Sequence, residues 1–172
     1  RERYPDYSLK SADDFERGVA LRLAGNEYGA TTGRPRRTGW LDLVMLRHAL
    51  PWTGNKIVLT KLDVLSGCDA IKVCNGYRYT GPVRMIGKAC LSSGEHDWPD
   101  APPDVDVLTH CQPVYDTLPG WEEDLSGARQ LSDLPAAAQQ FLEYITREAG
   151  VEITAVSVGP RPEQTIWLAP LG

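Results

Sequence analysis

"KIVLTKLD", residues 56–63, is the stretch on which the fold turns. Ile57, Val58 and Leu59 are a short apolar run rich in β-branching, the pattern of a buried parallel strand, and Thr60 delivers it directly into Lys61, Leu62 and Asp63. A charged pair therefore stands at a strand's C-terminal end. In open α/β sheets that is the edge where ligands collect.

Working outward, Ser11 and Asp13 offer N-caps, and Phe15, Val19 and Leu23 recur every four residues. Gly25 then supplies a left-handed stop, so residues 12–24 are predicted as an amphipathic helix. Gly25, Gly29, Gly33, Pro35 and Gly39 make the next segment a loop. A second helix is predicted at 40–50, with Trp40, Leu41, Val44, Met45 and His48 on one side and Pro51 as its end.

Beyond the opening strand, Ile71, Val73, Tyr77 and Tyr79 alternate around "TGP" and predict a β-hairpin over 70–86. Residues 91–104, "LSSGEHDWPDAPPD", are too polar to pack and read as a surface insertion. "CQPVYDTLPGW" returns as a strand that turns at Pro119-Gly120. A third helix follows, capped by Ser132 or Asp133, with Pro135 in its first turn and Gly150 closing it. "VEITAVSVG" and "QTIWL" are the last strands. Helices and strands interleave, which predicts an α/β fold with a mixed, partly parallel sheet and flanking helices, in one unit over residues 1–172.

Composition narrows the function. The chain has 172 residues, 42% of them apolar, enough for one domain with a core. It contains no run of about 18 apolar residues to span a bilayer and no apolar segment of a signal peptide, so it reads as soluble and intracellular. Cys68, Cys74, Cys90 and Cys111 match neither a CxxC pair nor a zinc ribbon and read as free thiols. A formal net charge of −5 argues against general nucleic-acid binding, which needs many phosphate contacts at once. The first residue is Arg1 rather than Met, which leads us to expect a processed product or a piece of something longer.

Against that acidic background "EYGATTGRPRRTGW", residues 27–40, is an island of Arg34, Arg36 and Arg37. Arginine forks bind carboxylate and phosphate in a bidentate way, and backbone freed by glycine approaches an anion closely. Such a loop suits one carboxylate plus one phosphate. A surface basic tract is the plainer alternative for "RPRR"; the flanking threonines, glycines and aromatics favour a ligand loop.

"TKLD", residues 60–63, suits a guanine base. One carboxylate accepts from both the ring N–H and the exocyclic amine, while the lysine stem lies along the base. Taken alone, the default reading of four such residues is a surface lysine and aspartate closing a strand. "SVG", residues 157–159, is a second strand exit that could face the first, its glycine letting the backbone approach a flat base. His48 reads as packed or half-buried, and His96 and His110 have no obvious carboxylate partner. No GxxxxGK[ST] loop and no metal-ligand spacing occurs.

In this order, "EYGATTGRPRRTGWLD" (27–42), "LTKLDVLSG" (59–67), "YDTLPGW" (115–121), the Leu134, Pro135 and Gln139 segment, and "VSVGP" (156–160) resemble the adenylosuccinate synthetase family, specifically its C-terminal portion. The resemblance implies an incomplete part of a larger P-loop-NTPase-like synthetase. That family joins IMP and L-aspartate at the expense of GTP, through 6-phosphoryl-IMP, with Mg²⁺, in AMP biosynthesis. It further implies that Ala30, Thr31, Thr32, Gly33, Arg34, Pro35 and Arg36 form the loop that closes on aspartate. Within it Arg34 would meet the aspartate carboxylate and IMP, and Arg36 the GTP phosphates. Lys61, Leu62, Asp63, Ser157, Val158 and Gly159 would hold guanine. Arg37 has no assigned anion and is expected to anchor the loop to the helix beginning at Trp40.

The family's phosphate loop, general base, general acid and magnesium ligands belong to an N-terminal half absent from this sequence. No catalytic residue and no metal ligand is therefore expected here, and the chain alone is expected to be inactive. The complete enzyme is expected to be a cytoplasmic homodimer. The alternative is a stand-alone guanine-nucleotide-binding module without catalysis.

Overall fold

The computed structural model describes residues 7–86, 89–94, 97–98 and 105–168. Helix α1 spans Asp14–Ala24, and the Asp13 carboxylate accepts from the backbone N–H groups of Phe15 and Glu16 at 2.8 and 3.0 Å. Its buried face runs through Arg17, Val19, Ala20 and Leu21, while Phe15 and Leu23 are exposed. The predicted stripe is thus rotated, because the buried face carries a charged residue that hydropathy alone places outside. Arg17 is satisfied there: its Nε donates to the Ser11 carbonyl at 2.8 Å and its guanidinium lies over the Trp40 ring. Gly25 keeps ordinary helical dihedrals, and Asn26, at φ 49°, makes the left-handed exit instead.

Strand β1 is Leu41–Asp42, and α2 is Leu43–Thr53. The predicted helix starts later than expected because Asp42 caps it, accepting from the Met45 N–H at 3.0 Å. Pro51 lies inside it, not at its end; the helix has less than one turn left there and closes at Gly54, so only one backbone hydrogen bond is forfeited.

Strands β2 (Lys56–Leu59), β3 (Cys68–Tyr79), β4 (Arg84–Ile86), β5 (Ala89–Leu91) and β6 (Asp97–Trp98) follow. They are succeeded by α3 (Val105–Thr109), β7 (Cys111–Trp121), α4 (Ala136–Ala149), β8 (Glu152–Ser157) and β9 (Thr165–Trp167). β2 pairs with β8 in parallel, Leu59 opposite Val156, and β9 joins β8 antiparallel. The parallel reading of "KIVLT" holds, but its burial does not: β2 is an edge strand, and Val58 is 55% exposed.

The long strand β3 pairs antiparallel with β7, from Cys68–Trp121 to Tyr79–Cys111, with β1 and β6 along its other side. The predicted hairpin over 70–86 is therefore corrected: residues 70–79 belong to β3, whose partner lies some thirty residues downstream, and a small hairpin of β4 and β5 follows. Pro119-Gly120 is not a turn. Pro119 sits in β7 opposite Ala70, tolerated because β7 is an edge, and a Cβ at Gly120 would collide with the Cys68 carbonyl. Of the expected insertion at 91–104, Leu91 is buried and Asp97–Trp98 pairs with β3; the remainder from residue 95 lies outside the described residues, as does His96.

Helix α4 begins after Pro135 with no side-chain cap and closes at Gly150, φ 68°, as predicted. Asp133 instead accepts from the Arg129 and Gln130 N–H groups in the preceding turn. Ala138, Phe141, Leu142 and Ile145 of α4 share one core cluster with Leu43 of α2, Ile71 and Val73 of β3, and Ile153 and Val156 of β8. That cluster joins both sheets and fixes the β2/β8 edge. No helix among the described residues is long and apolar enough to cross a membrane.

Candidate functional site

Two parallel neighbours end on the same side of their sheet, so the β2 and β8 exits emerge together. After Leu59 the chain passes Thr60 into Lys61, which takes left-handed dihedrals (φ 63°, ψ 38°). A non-glycine residue there costs roughly 1–2 kcal/mol and persists only where its surroundings impose it. Two contacts impose it: the Lys61 N–H donates to the Ser157 Oγ at 2.8 Å, and Leu62, fully buried, anchors the 3-10 turn Leu62–Leu65. The two strand exits are thus stitched to each other. Asp63 stands on that turn, and its Oδ1 is buried without a hydrogen-bond partner among the described residues. A buried acceptor left unmet costs about 1–3 kcal/mol and fits a site whose donors arrive with a ligand.

On the β8 side Val158 is fully buried, so it and Leu62 have only backbone to offer a ligand. Gly159 is glycine for a reason the sequence does not suggest: the Gln164 side chain occupies the space a Cβ would take. Gln164 is buried, receives the Arg161 N–H at 3.2 Å and donates to the Ser126 carbonyl at 3.3 Å.

The loop after α1 folds back on itself. Tyr28 and Pro35 form an antiparallel bridge, the Gly29 N–H donates to the Arg34 carbonyl at 2.8 Å, and Gly33 turns the tip at φ 64°. Ala30, Thr31, Thr32, Gly33, Arg34, Pro35 and Arg36 are all exposed. The Arg34 side chain has no ion-pair or hydrogen-bond partner among the described residues, and neither does that of Arg37, so Arg37 does not anchor the loop. Anchoring falls to α1: Arg22 Nε donates to the Arg36 carbonyl at 2.7 Å, and Thr38 Oγ1 to the Gly18 carbonyl at 2.6 Å.

Loop and strand exit meet through Glu27. One carboxylate oxygen receives Lys61 Nζ and the other Arg36 Nη1 at 3.0 Å, while Lys61 Nζ also donates to the Gly25 carbonyl at 2.8 Å. The Lys61 hydrogen bond, with Arg36 adding to it, holds the Glu27 carboxyl below the usual carboxylate range. Between the loop base and the strand exit lies a cleft of about 390 Å³, walled by Leu21, Trp40, Leu62 and Phe141 and rimmed by Arg36 and Arg37.

The structure thus brings Arg36 to the joined strand exits of Lys61 and Ser157, while Ala30 to Pro35 stand on the exposed loop with no hydrogen bond or ion pair to either exit among the described residues. Glu27 and Gln164 were absent from the prediction. Glu27 is the lone acid between Gly25 and Gly39, a usable signal; Gln164 carries none. His48 is exposed, not packed, and all four cysteines are free thiols.

A sequence model of the family described as adenylosuccinate synthetase matches residues 8–166. The chain belongs to that family. It is 48% identical over 152 residues to the adenylosuccinate synthetase of Moorella thermoacetica and 49% over 154 residues to that of Salinibacter ruber. These alignments cover 88% and 89% of the chain and 32% of either relative, so the chain spans about a third of the length of the curated relatives it matches. The structure of fully ligated adenylosuccinate synthetase from Plasmodium falciparum superposes with a TM-score of 0.75 at 32% identity, covering 96% of this chain and 36% of that one. The mixed, partly parallel α/β architecture is thus the family's own.

Proposed function

We propose that this chain is the C-terminal portion of a GTP-dependent ligase joining IMP and L-aspartate to make adenylosuccinate, and that it supplies the guanine-recognition edge and the aspartate-closing loop. Family membership supports the reaction, and the stitched strand exits support the division of labour. Asp63 receives the two guanine donors, Lys61 lies along the base, and Ser157 and Gly159 close its edge. Thr31, Thr32 and Gly33 present hydroxyl and backbone donors to aspartate, Arg34 meets its carboxylate and IMP, and Arg36 meets the GTP phosphates. Phosphoryl transfer is chiefly positioning plus charge neutralisation, which a cationic loop over a fixed base platform supplies. Mg²⁺, the phosphate loop and the acid and base of the reaction are held by parts of the synthetase outside this chain, so the chain alone forms no product. Family membership is also the ground for reading the complete enzyme as a cytoplasmic homodimer.

The Asp63 Oδ1, buried without a partner among the described residues, carries this reading. Calorimetric titration of the 172-residue chain tests it. GTP should bind tighter than ATP, and Asp63→Asn should remove that preference, with a loss of about tenfold or more for GTP. Equal binding of both nucleotides, or of neither, counts against it.

A further inference from the structure

Lys61 and Arg36 belong to different supports and carry like charge, yet both meet one carboxylate. Glu27 is itself held by backbone on two sides. Its N–H donates to the Arg22 carbonyl at 2.9 Å, and its carbonyl accepts the Arg36 N–H at 3.0 Å. Only Nη1 of the Arg36 guanidinium engages Glu27, so the rest of that five-donor fork is left for an incoming anion.

We infer that Glu27 is a positioning residue: it clamps Arg36 to Lys61 so that the loop and the strand exit present one preassembled face to a purine nucleoside triphosphate, base on one side and phosphates on the other. This rests on the reading of the site given above. The like charges of Lys61 and Arg36 would otherwise repel and swing apart, and the loop tip would close from a wider ensemble of positions. The clamp ties the root of the aspartate loop to the guanine edge. Neither cation need leave Glu27 for a phosphate to arrive.

The test uses the full-length synthetase carrying this segment, as wild type, Glu27→Gln, Arg36→Gln and the double variant. In Glu27→Gln the KM for GTP is expected to rise about fivefold, the scale of one or two solvent-accessible ion pairs, with kcat changing less than the KM. Adding Glu27→Gln to Arg36→Gln should cost little more than Arg36→Gln alone, because the two act as a unit. An unchanged KM for GTP, a fall in kcat alone, or additive effects overturns the inference. Limited trypsin cleavage after Arg36 and Arg37 gives a reading independent of activity: it should be faster in Glu27→Gln than in wild type, and equal rates overturn the clamp. If wild type makes no adenylosuccinate from IMP, aspartate and GTP, the functional reading fails by itself, and the cleavage rates still decide whether Glu27 holds the loop.

Discussion

The strand-exit platform and the arginine loop are built from opposite materials. Lys61, Asp63 and Ser157 stand on residues with no exposure at all, Leu62 on one side and Val158 on the other, and are joined by a 2.8 Å hydrogen bond. Residues 30–36 are exposed throughout and, apart from bonds within the loop, are held among the described residues at their base, through Tyr28, Arg22, Thr38 and Glu27. A base is a rigid plane whose donors must be met at fixed points, and fixed points come from strands bedded in a core. A loop that closes on a small, charged acid needs freedom at its tip and restraint at its root. Here an exposed loop is tied to a strand exit bedded in the core, chiefly through the Glu27 carboxylate.

The largest expected effect breaks the platform from beneath. Ile145 is fully buried between the sheets, so Ile145→Ala should cost about 2–5 kcal/mol, read as a lower urea midpoint. Nucleotide binding should be lost with the fold; a midpoint close to wild type would mean that α4 does not bear the platform. A smaller and more selective effect is expected at the loop. Arg34→Leu in the full-length enzyme should raise the KM for aspartate about tenfold while leaving GTP binding unchanged, because its guanidinium touches no part of the platform. A shift in GTP affinity of comparable size would erase the distinction between the two regions.

The smallest effect concerns their joint. A carboxyl whose folded pKa is depressed contributes stability above its unfolded value, near 4.3 for glutamate, and loses it as pH falls through the folded value. Acidification through the folded value, below the ordinary glutamate range, should therefore release Arg36 and Lys61 while the core persists. A carbon-detected NMR titration of the Glu27 carboxyl should give a midpoint below that of exposed glutamates, and a midpoint at their value would mean the clamp is not populated.

What the sequence discloses depends on how local each cause is. The strand exit at Lys61 was legible because a strand's end and its charged residues are contiguous, and the same holds for the helix closing at Gly150. The partner of β3 was not legible: Tyr77 and Tyr79 alternate toward a nearby turn, yet the hydrogen bonds go to residues 111–113. Pro119-Gly120 has turn chemistry, but Cys68 packs against it from a distant stretch of chain and decides otherwise. Arg17 is charged yet buried, because a carbonyl and an indole ring receive it, and neither contact leaves a local signal in the helix pattern. In the site, the residues proposed to touch a ligand sit in short motifs. Glu27, which meets both Lys61 and Arg36, reaches across 34 residues to the first and reads as an ordinary loop acid.

Gln164 sets its side-chain amide where a Cβ at Gly159 would stand, so the two positions are sterically linked. A side chain at 159 displaces the Gln164 amide, and with it the acceptor of the Arg161 N–H, while the Ser126 carbonyl keeps the Arg129 guanidinium at 2.9 Å. A correlated substitution at a spacing of five residues is therefore expected wherever position 159 gains a side chain, marking where the chain folds back beneath the end of β8.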